Sequence, residues 1–177
     1  MGLWLRAAVC AVVLVSLPVA SVGAATVTAT ISVSGGNLSV ATEDVVLTPD
    51  GTTGVAVSQT SHWTAVDARG TGGGWHLTVS VDTIFADGRA IGDQPLEVQL
   101  LNDSIAVIAG NGQPTSRVPS FAPVPATGTG ALLFVSAASD EGMGSYDLHP
   151  DFRLATPTGS TATGYTATLT VDISTGP

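Results

Sequence analysis

The sequence has one cysteine, no lysine, and few charged or aromatic residues. Its 177 residues include five cationic side chains, all arginine, and charged residues of both signs make up 11%. The single cysteine, Cys10, lies in an apolar N-terminal run, so the rest of the chain can form no disulfide within itself and cannot complete a cysteine-containing zinc site. The scarcity of cations excludes the basic surface that nucleic-acid binding requires.

The N-terminal segment, residues 1–24, is typical of a secretory signal peptide. Arg6 precedes an apolar run from Ala7 to Leu17, and small residues follow up to Ala24. We expect cleavage after Ala24 or Ala25 and export of residues 25–177. These residues carry four arginines against 14 acidic residues, a net charge of −10. This charge favours solubility and disfavours adhesion to anionic polymers unless cations bridge the two.

The exported part shows short runs with a period of two and no helical period over three turns. Such runs, bounded by Gly, Pro, Asn and Asp, predict an all-β fold, a single β-sandwich of Greek-key or jelly-roll type over residues 25–177. The predicted strands are Val27–Val33, Leu38–Val40, Val45–Leu47, Val55–Ser58, Trp63–Asp67, Trp75–Asp82, Leu96–Leu101, Ile105–Ile108 and Tyr165–Ile173. The predicted inward-facing residues are Trp63, Trp75, Leu77, Val79, Tyr165, Leu169 and Ile173.

Two stretches interrupt this pattern. Four prolines within Asn111–Thr129 predict a long surface excursion between strands, and Asn102-Asp103 predicts a hairpin or bend.

Two acidic stretches, Asp140-Glu141 and Asp147–Asp151, are interpreted as solvated loops. Calcium binding through their oxygen ligands is the alternative, although their spacing is irregular.

The segment from Asp67 to Val79 combines an ion-pair candidate, a glycine-rich turn and an alternating strand. Asp67 and Arg69 fall on one face of an extended segment, which predicts a structural ion pair that fixes the turn. Contact between Arg69 and a ligand carboxylate is the alternative, since the guanidinium fork suits such a group. The apolar positions of the following strand, beginning with Trp75, predict that the indole is a core residue.

No arrangement typical of an active site stands out in the sequence. His62, His76 and His149 lack the spacing of a recognised zinc motif, and no serine lies in a nucleophile elbow. We therefore expect a protein without catalytic residues, metal or cofactor, with a carbohydrate-processing enzyme as the alternative. Catalytic carboxylates can still come together across strands, which a sequence alone does not show.

Several segments together resemble the WxL domain family of secreted Gram-positive surface proteins. They are Asp67-Ala68-Arg69-Gly70, Gly74-Trp75-His76-Leu77-Thr78-Val79, Gly142-Met143-Gly144-Ser145-Tyr146, Leu154-Ala155-Thr156-Pro157 and Tyr165-Thr166-Ala167-Thr168-Leu169-Thr170. The resemblance covers about residues 25–177. It implies export and non-covalent association with cell-wall peptidoglycan or another wall polymer, or with a partner protein displayed beside it. The candidate binding residues are Asp67, Arg69, Trp75 and Leu77, and the structural motif residues are Gly70, Gly74, Tyr165 and Leu169.

The sequence departs from the family at the distal motif. Where the family carries a second Trp-x-Leu, this chain has Val171-Asp172-Ile173, which keeps the alternation but loses an indole and its N–H donor. If that tryptophan contributes to wall contact, this protein binds the wall weakly or binds something else. If it only packs, function is unaffected. A structural subunit of a surface layer is a further alternative.

Overall fold

The computed structural model describes residues 36–45, 47–50, 55–58, 61–86, 89–90, 95–155 and 165–176. Within these ranges every regular element but one is a strand, and the exception is a short 3-10 turn, Asn102–Ser104. The all-β, sandwich-like fold predicted from the sequence is confirmed. The predicted signal peptide and the predicted strand Val27–Val33 lie outside the described residues.

The described strands are numbered in chain order. They are β1 (Leu38–Thr42), β2 (Leu47–Asp50), β3 (Val55–Ser58), β4 (Trp63–Asp67), β5 (Trp75–Val81), β6 (Phe85–Ala86), β7 (Arg89–Ala90), β8 (Leu96–Gln99), β9 (Ile105–Gly110), β10 (Thr115–Ser116), β11 (Ala122–Pro123), β12 (Leu132–Ala137), β13 (Gly144–Leu148), β14 (Asp151–Ala155), β15 (Tyr165–Thr166) and β16 (Leu169–Thr175).

The strands pair antiparallel in four sheets. The first sheet has the order β1-β4-β13-β9, the second β10-β12-β5-β16, and the third β11-β8-β14-β3-β2. A small fourth sheet has the order β15-β6-β7. Most neighbours in the three larger sheets are far apart in the sequence, so long-range pairing and not local turns determines the architecture.

Aromatic side chains from the three larger sheets meet in the core. The ring centroid of Trp63 on β4 lies 5.4 Å from that of Phe134 on β12 and 5.7 Å from that of Phe152 on β14. The ring of Trp75 on β5 lies 6.1 Å from that of Tyr146 on β13. All five side chains are almost fully buried, so these contacts hold the sheets against one another.

Period-two alternation places the expected residues inward on β4 and β5. Trp63, Ala65 and Asp67 are buried along β4, and Trp75, Leu77 and Val79 along β5. Leu169 and Ile173 on β16 are half-buried and pack against this core, in agreement with the prediction. The side chain of Tyr165 lies outside what is described.

Two details differ from the sequence predictions, and a third decides between two predicted alternatives. The stretch Asn111–Thr129 is not a simple surface excursion, because β10 pairs with β12, β11 pairs with β8, and Val118 and Val124 are buried. Of the two alternatives predicted for Asn102-Asp103, the structure has the bend and not the hairpin, since β8 and β9 belong to different sheets. The predicted strand Tyr165–Ile173 divides into β15 and β16, which pair with β6 and β5 respectively.

Candidate functional site

The turn between β4 and β5 is fixed by a bidentate ion pair. Arg69 Nε lies 2.9 Å from Asp67 Oδ1, and Arg69 Nη2 lies 2.8 Å from Asp67 Oδ2. The backbone N–H of Arg69 also donates to Asp67 Oδ1, at 3.0 Å. The carboxylate is fully buried, whereas the arginine side chain is 15% exposed. Asp67 and Arg69 therefore satisfy each other within the fold.

The same arginine binds the far end of the turn. Its Nη2 donates to the carbonyl oxygen of Gly74 at 2.8 Å, so one guanidinium joins the last residue of β4 to the residue before β5. Gly74 has a φ of +66°, and a Cβ atom built there would lie 2.7 Å from the carbonyl oxygen of Ala137. A side chain at this position would be strained and would collide with backbone, which explains the glycine.

Electrostatics keep both members of the pair charged. The hydrogen bonds from Arg69 hold the pKa of the Asp67 carboxyl below its ordinary value against the opposing effect of burial. The hydrogen bond to Asp67 in turn raises the pKa of Arg69. A carboxylate that is buried and fully paired is a poor proton acceptor, so the chemistry of this pair is that of a structural clamp.

Trp75 and Leu77 are completely buried. The indole Nε1 of Trp75 donates to the carbonyl oxygen of Gly142 at 2.8 Å, so its polar atom has an internal partner. Neither side chain has exposed surface, and neither can contact an external ligand in this conformation. Of the four candidate binding residues, only the Arg69 side chain is appreciably exposed, and its Nε and Nη2 donate within the fold.

A loop network that the sequence did not indicate surrounds the Trp75 indole. The side-chain oxygen of Asn111 accepts from the N–H of Met143 at 3.0 Å, and its Nδ2 donates to the carbonyl oxygen of Asp140 at 2.8 Å. The Tyr146 hydroxyl donates to the carbonyl oxygen of Asn111 at 2.7 Å. Burial raises the pKa of Tyr146, with a further contribution from the Asp67 carboxylate. Asn111 thus fixes the loop that caps Trp75.

The end of the distal motif-like segment, Leu169-Thr170, begins the strand next to the Trp-x-Leu strand, whereas Tyr165-Thr166 lies in another sheet. Strand β5 pairs with β16 along its whole length, with Leu77 opposite Ile173 and Val79 opposite Val171. The distal strand β16 is therefore the hydrogen-bonded neighbour of the Trp-x-Leu strand β5. Of the structural motif residues, Gly70 and Gly74 form the turn and Leu169 lies in β16, while Tyr165 lies in β15.

A cavity of about 510 Å³ lies beside these strands. Its apolar lining includes Trp63, Val81, Ile84, Leu96, Leu169 and Val171, and its polar lining includes Thr42, Glu43, Asp44 and Thr168. The Trp63 indole is buried, and its Nε1–H has no acceptor among the described residues. Val171, a small side chain on β16, borders the cavity here.

The register of the first sheet brings His62 and His149 together. Trp63 pairs with Leu148, so the two histidines lie one step beyond, with ring centroids 4.5 Å apart in an edge-to-face arrangement. His76 is elsewhere, with its Nδ1 2.9 Å from the carbonyl oxygen of Gly176. In the part of the chain that is described, no group of three or more potential metal ligands occurs.

The second acidic stretch is not one loop. Asp147 belongs to β13 and accepts a hydrogen bond from the Thr64 hydroxyl at 3.0 Å, whereas Asp151 begins β14. The first, Asp140-Glu141, is exposed and lies in the loop before β13. The predicted loop Asp147–Asp151 thus reduces to His149-Pro150, because the strands extend further than the sequence pattern indicates.

Comparisons of the chain with protein-family models, curated proteins and solved structures give no match. Among the described residues, no helix is both long and apolar enough to cross a membrane.

Proposed function

We propose that the mature protein is a non-catalytic cell-surface component that associates non-covalently with peptidoglycan. The observation that carries the proposal is that β16, which begins with Leu169-Thr170 of the distal segment, pairs with the Trp-x-Leu strand β5. Trp75–Val81 and Leu169–Thr175 are far apart in the sequence, yet they form adjacent strands with a continuous register. This pairing supports the resemblance, and the function that the resemblance implies is a surface-bound protein of the Gram-positive wall.

The cavity is the proposed ligand site, because the side chains of the Asp-x-Arg and Trp-x-Leu motifs are engaged inside the fold. Its size lies within the range of pockets that hold small organic ligands. Glu43 and Asp44, both exposed, place carboxylates beside an apolar floor. A stem peptide of peptidoglycan offers matching groups: an amine for the carboxylates and methyl groups for the apolar lining.

Sedimentation with insoluble peptidoglycan tests this proposal. Purified residues 25–177 are incubated with peptidoglycan stripped of teichoic acid and with intact walls. We expect the protein to sediment with the stripped polymer at least as well as with intact walls, because a net charge of −10 is repelled by anionic wall polymers. Repeating the assay with a calcium chelator separates direct binding from binding through bridging cations.

Paired variants locate the site. The double variant Glu43→Gln/Asp44→Asn removes two carboxylates at the cavity, and Asp103→Asn/Asp172→Asn removes two exposed carboxylates elsewhere. A hydrogen bond to a charged group contributes about 1.5–3 kcal/mol, so the first variant should bind about tenfold or more weakly, whereas the second should bind like the parent. Equal losses would indicate a general charge effect and not a site.

The same fractionation separates the alternative functions. Release of muropeptides into the supernatant would indicate a carbohydrate-processing enzyme. Ordered self-assembly without sedimentation on peptidoglycan would indicate a surface-layer subunit. Retention only when a second surface protein is present would indicate association through a partner.

A further inference from the structure

Strand β9 forms an exposed edge of the first sheet. Its sequence, Ile-Ala-Val-Ile-Ala-Gly, has no charge and no proline, and five of its six residues are exposed. Among the described strands only β13 pairs with it. Three of the five large exposed apolar side chains in the described residues lie in or just before this strand, namely Leu101, Val107 and Ile108. Long apolar edges of this kind accept further strands unless they are blocked.

The inner face of the sheet is uncovered at this edge. Val107 lies opposite Tyr146, so both side chains point to the same face, yet Tyr146 is fully buried and Val107 is 45% exposed. Ile108, at the bulge, is 60% exposed. Gln113 donates to the carbonyl oxygen of Ile105 at 3.1 Å, but no described side chain caps the backbone of Val107 or Ile108. The stretch Val107–Gly110 is therefore open to pairing.

The charges around β9 indicate the chemistry of its partner. Asp103 precedes the strand, Glu141 lies against Gly112 just after it, and Asp147 is opposite Ala106 on β13. None of the four strands of this sheet contains a lysine or arginine. An apolar edge with acidic ends complements an extended segment with apolar side chains and basic ends. A second copy of this chain, with a net charge of −10, is electrostatically disfavoured.

We propose that β9 binds an extended segment of another protein as an additional strand of the first sheet. The segment pairs with the backbone of Val107–Gly110, covers Val107 and Ile108 with apolar side chains, and places basic residues beside Asp103 and Glu141. Main-chain hydrogen bonds supply affinity in this mode of recognition, and side-chain contacts supply specificity. The proposal is independent of peptidoglycan binding, because the residues at the cavity take no part in it.

A synthetic peptide of alternating valine and threonine with lysine at both ends is the probe. Titration against the mature protein should show saturable binding that weakens with added salt, and the same peptide with glutamate ends should bind at least about tenfold more weakly. Hydrogen exchange should slow at Val107 and its neighbours on binding. An absence of binding, or protection confined to other strands, would overturn the proposal.

Matched variants complete the test. Ile108→Lys places a charge on the free edge and should lower peptide affinity at least about tenfold. Leu133→Lys makes a comparable aliphatic-to-lysine exchange at an exposed residue, 42% accessible, on β12 of the second sheet, and should leave binding unchanged. Thermal unfolding and peptidoglycan sedimentation should be unaffected in both. Equal losses in both variants would overturn the proposal, as would a dimer of the parent protein that Ile108→Lys dissociates.

Discussion

Arg69 holds both oxygens of the Asp67 carboxylate, at 2.9 Å from Nε and 2.8 Å from Nη2, across only two residues of chain. This contact forms where the backbone leaves β4 and begins the glycine turn. Because the carboxylate has no exposed surface, the arginine is its necessary counter-ion. The pair therefore links local chain geometry to the stability of the strand that follows.

Arg69→Gln should destabilise the protein strongly. The substitution leaves the Asp67 carboxylate buried without its counter-ion, and breaking a buried pair in this way costs about 3–5 kcal/mol. Arg153→Gln is the matched control. Its partner Glu97 is 25% exposed and Arg153 itself 41% exposed, with the guanidinium 4.2 Å from the centre of the Phe121 ring. The loss in free energy of unfolding for Arg153→Gln should stay below about 2 kcal/mol. Chemical denaturation measures the free energy of unfolding of both variants. If Arg69→Gln loses no more than Arg153→Gln, the Asp67 carboxylate is better solvated than its position implies.

The Asp67 pair should also make stability depend on acidity. The pKa of Asp67 in the folded state lies below its ordinary value of 3.8, so the pair contributes its full stabilisation above that pH. As the pH falls through the folded-state pKa, the carboxyl becomes protonated in both states and the contribution is lost. The free-energy difference between the parent and Asp67→Asn should therefore be constant near neutrality and shrink below about pH 4. A difference that stays constant down to pH 2 would contradict this assignment.

The sequence predicted the elements whose evidence is local. The alternation from Trp75 to Val81 identified a strand with its buried face, and the spacing of Asp67 and Arg69 identified an ion pair. Both depend on residues within one turn or one strand. The clamp on Gly74 was not foreseen, although it is equally local, because the conformation of a glycine-rich turn is weakly determined by its sequence.

Features that depend on distant segments were missed. Strand β12 lacks clean alternation, because a bulge between Leu133 and Val135 places Phe134 and Val135 both in the core. Strands β13 and β14 alternate, but each is only five residues long and was not predicted. Asn111 looked like the start of a loop, but its role comes from carbonyl and amide groups about 30 residues later. The cavity likewise is lined by residues from several sheets. The alternation of apolar and polar residues along a sequence does not indicate which distant segments pair.

Gly144→Ala should be far more damaging than Gly128→Ala. Both glycines have positive φ, +141° and +86°, so both substitutions cost backbone strain. A Cβ atom at Gly144 would lie 2.0 Å from the carbonyl oxygen of Ala109, whereas Gly128 has open space around it. We expect equilibrium unfolding to show a loss in the free energy of unfolding of about 3–5 kcal/mol for Gly144→Ala and about 1–2 kcal/mol for Gly128→Ala. Equal values would mean that β9 and β13 separate easily at this point.

Trp75→Ala should abolish surface retention by unfolding the domain. The indole is fully buried, donates to Gly142 and packs against Tyr146, so its loss should cost about 3–5 kcal/mol. Such a loss is a large share of the stability of an ordinary domain without disulfides. Thermal unfolding and peptidoglycan sedimentation are measured on the same variant. If it melts like the parent but no longer sediments, Trp75 is a binding residue and not a packing residue.

Val171→Trp should fill the cavity and prevent wall binding without unfolding the protein. Val171 is half-buried, lies opposite Val79 and lines the cavity, so an indole there can occupy space that the valine leaves empty. Cavity filling commonly stabilises a protein by about 0.5–2 kcal/mol, and we expect a small gain or no loss in the free energy of unfolding. Ser174→Trp is the control, because it adds an indole at an exposed position of the same strand. We expect sedimentation on peptidoglycan to fall for Val171→Trp and to be unchanged for Ser174→Trp. Stronger wall binding by Val171→Trp would mean instead that an indole at this position contacts the wall. The valine of this protein would then account for weaker wall binding.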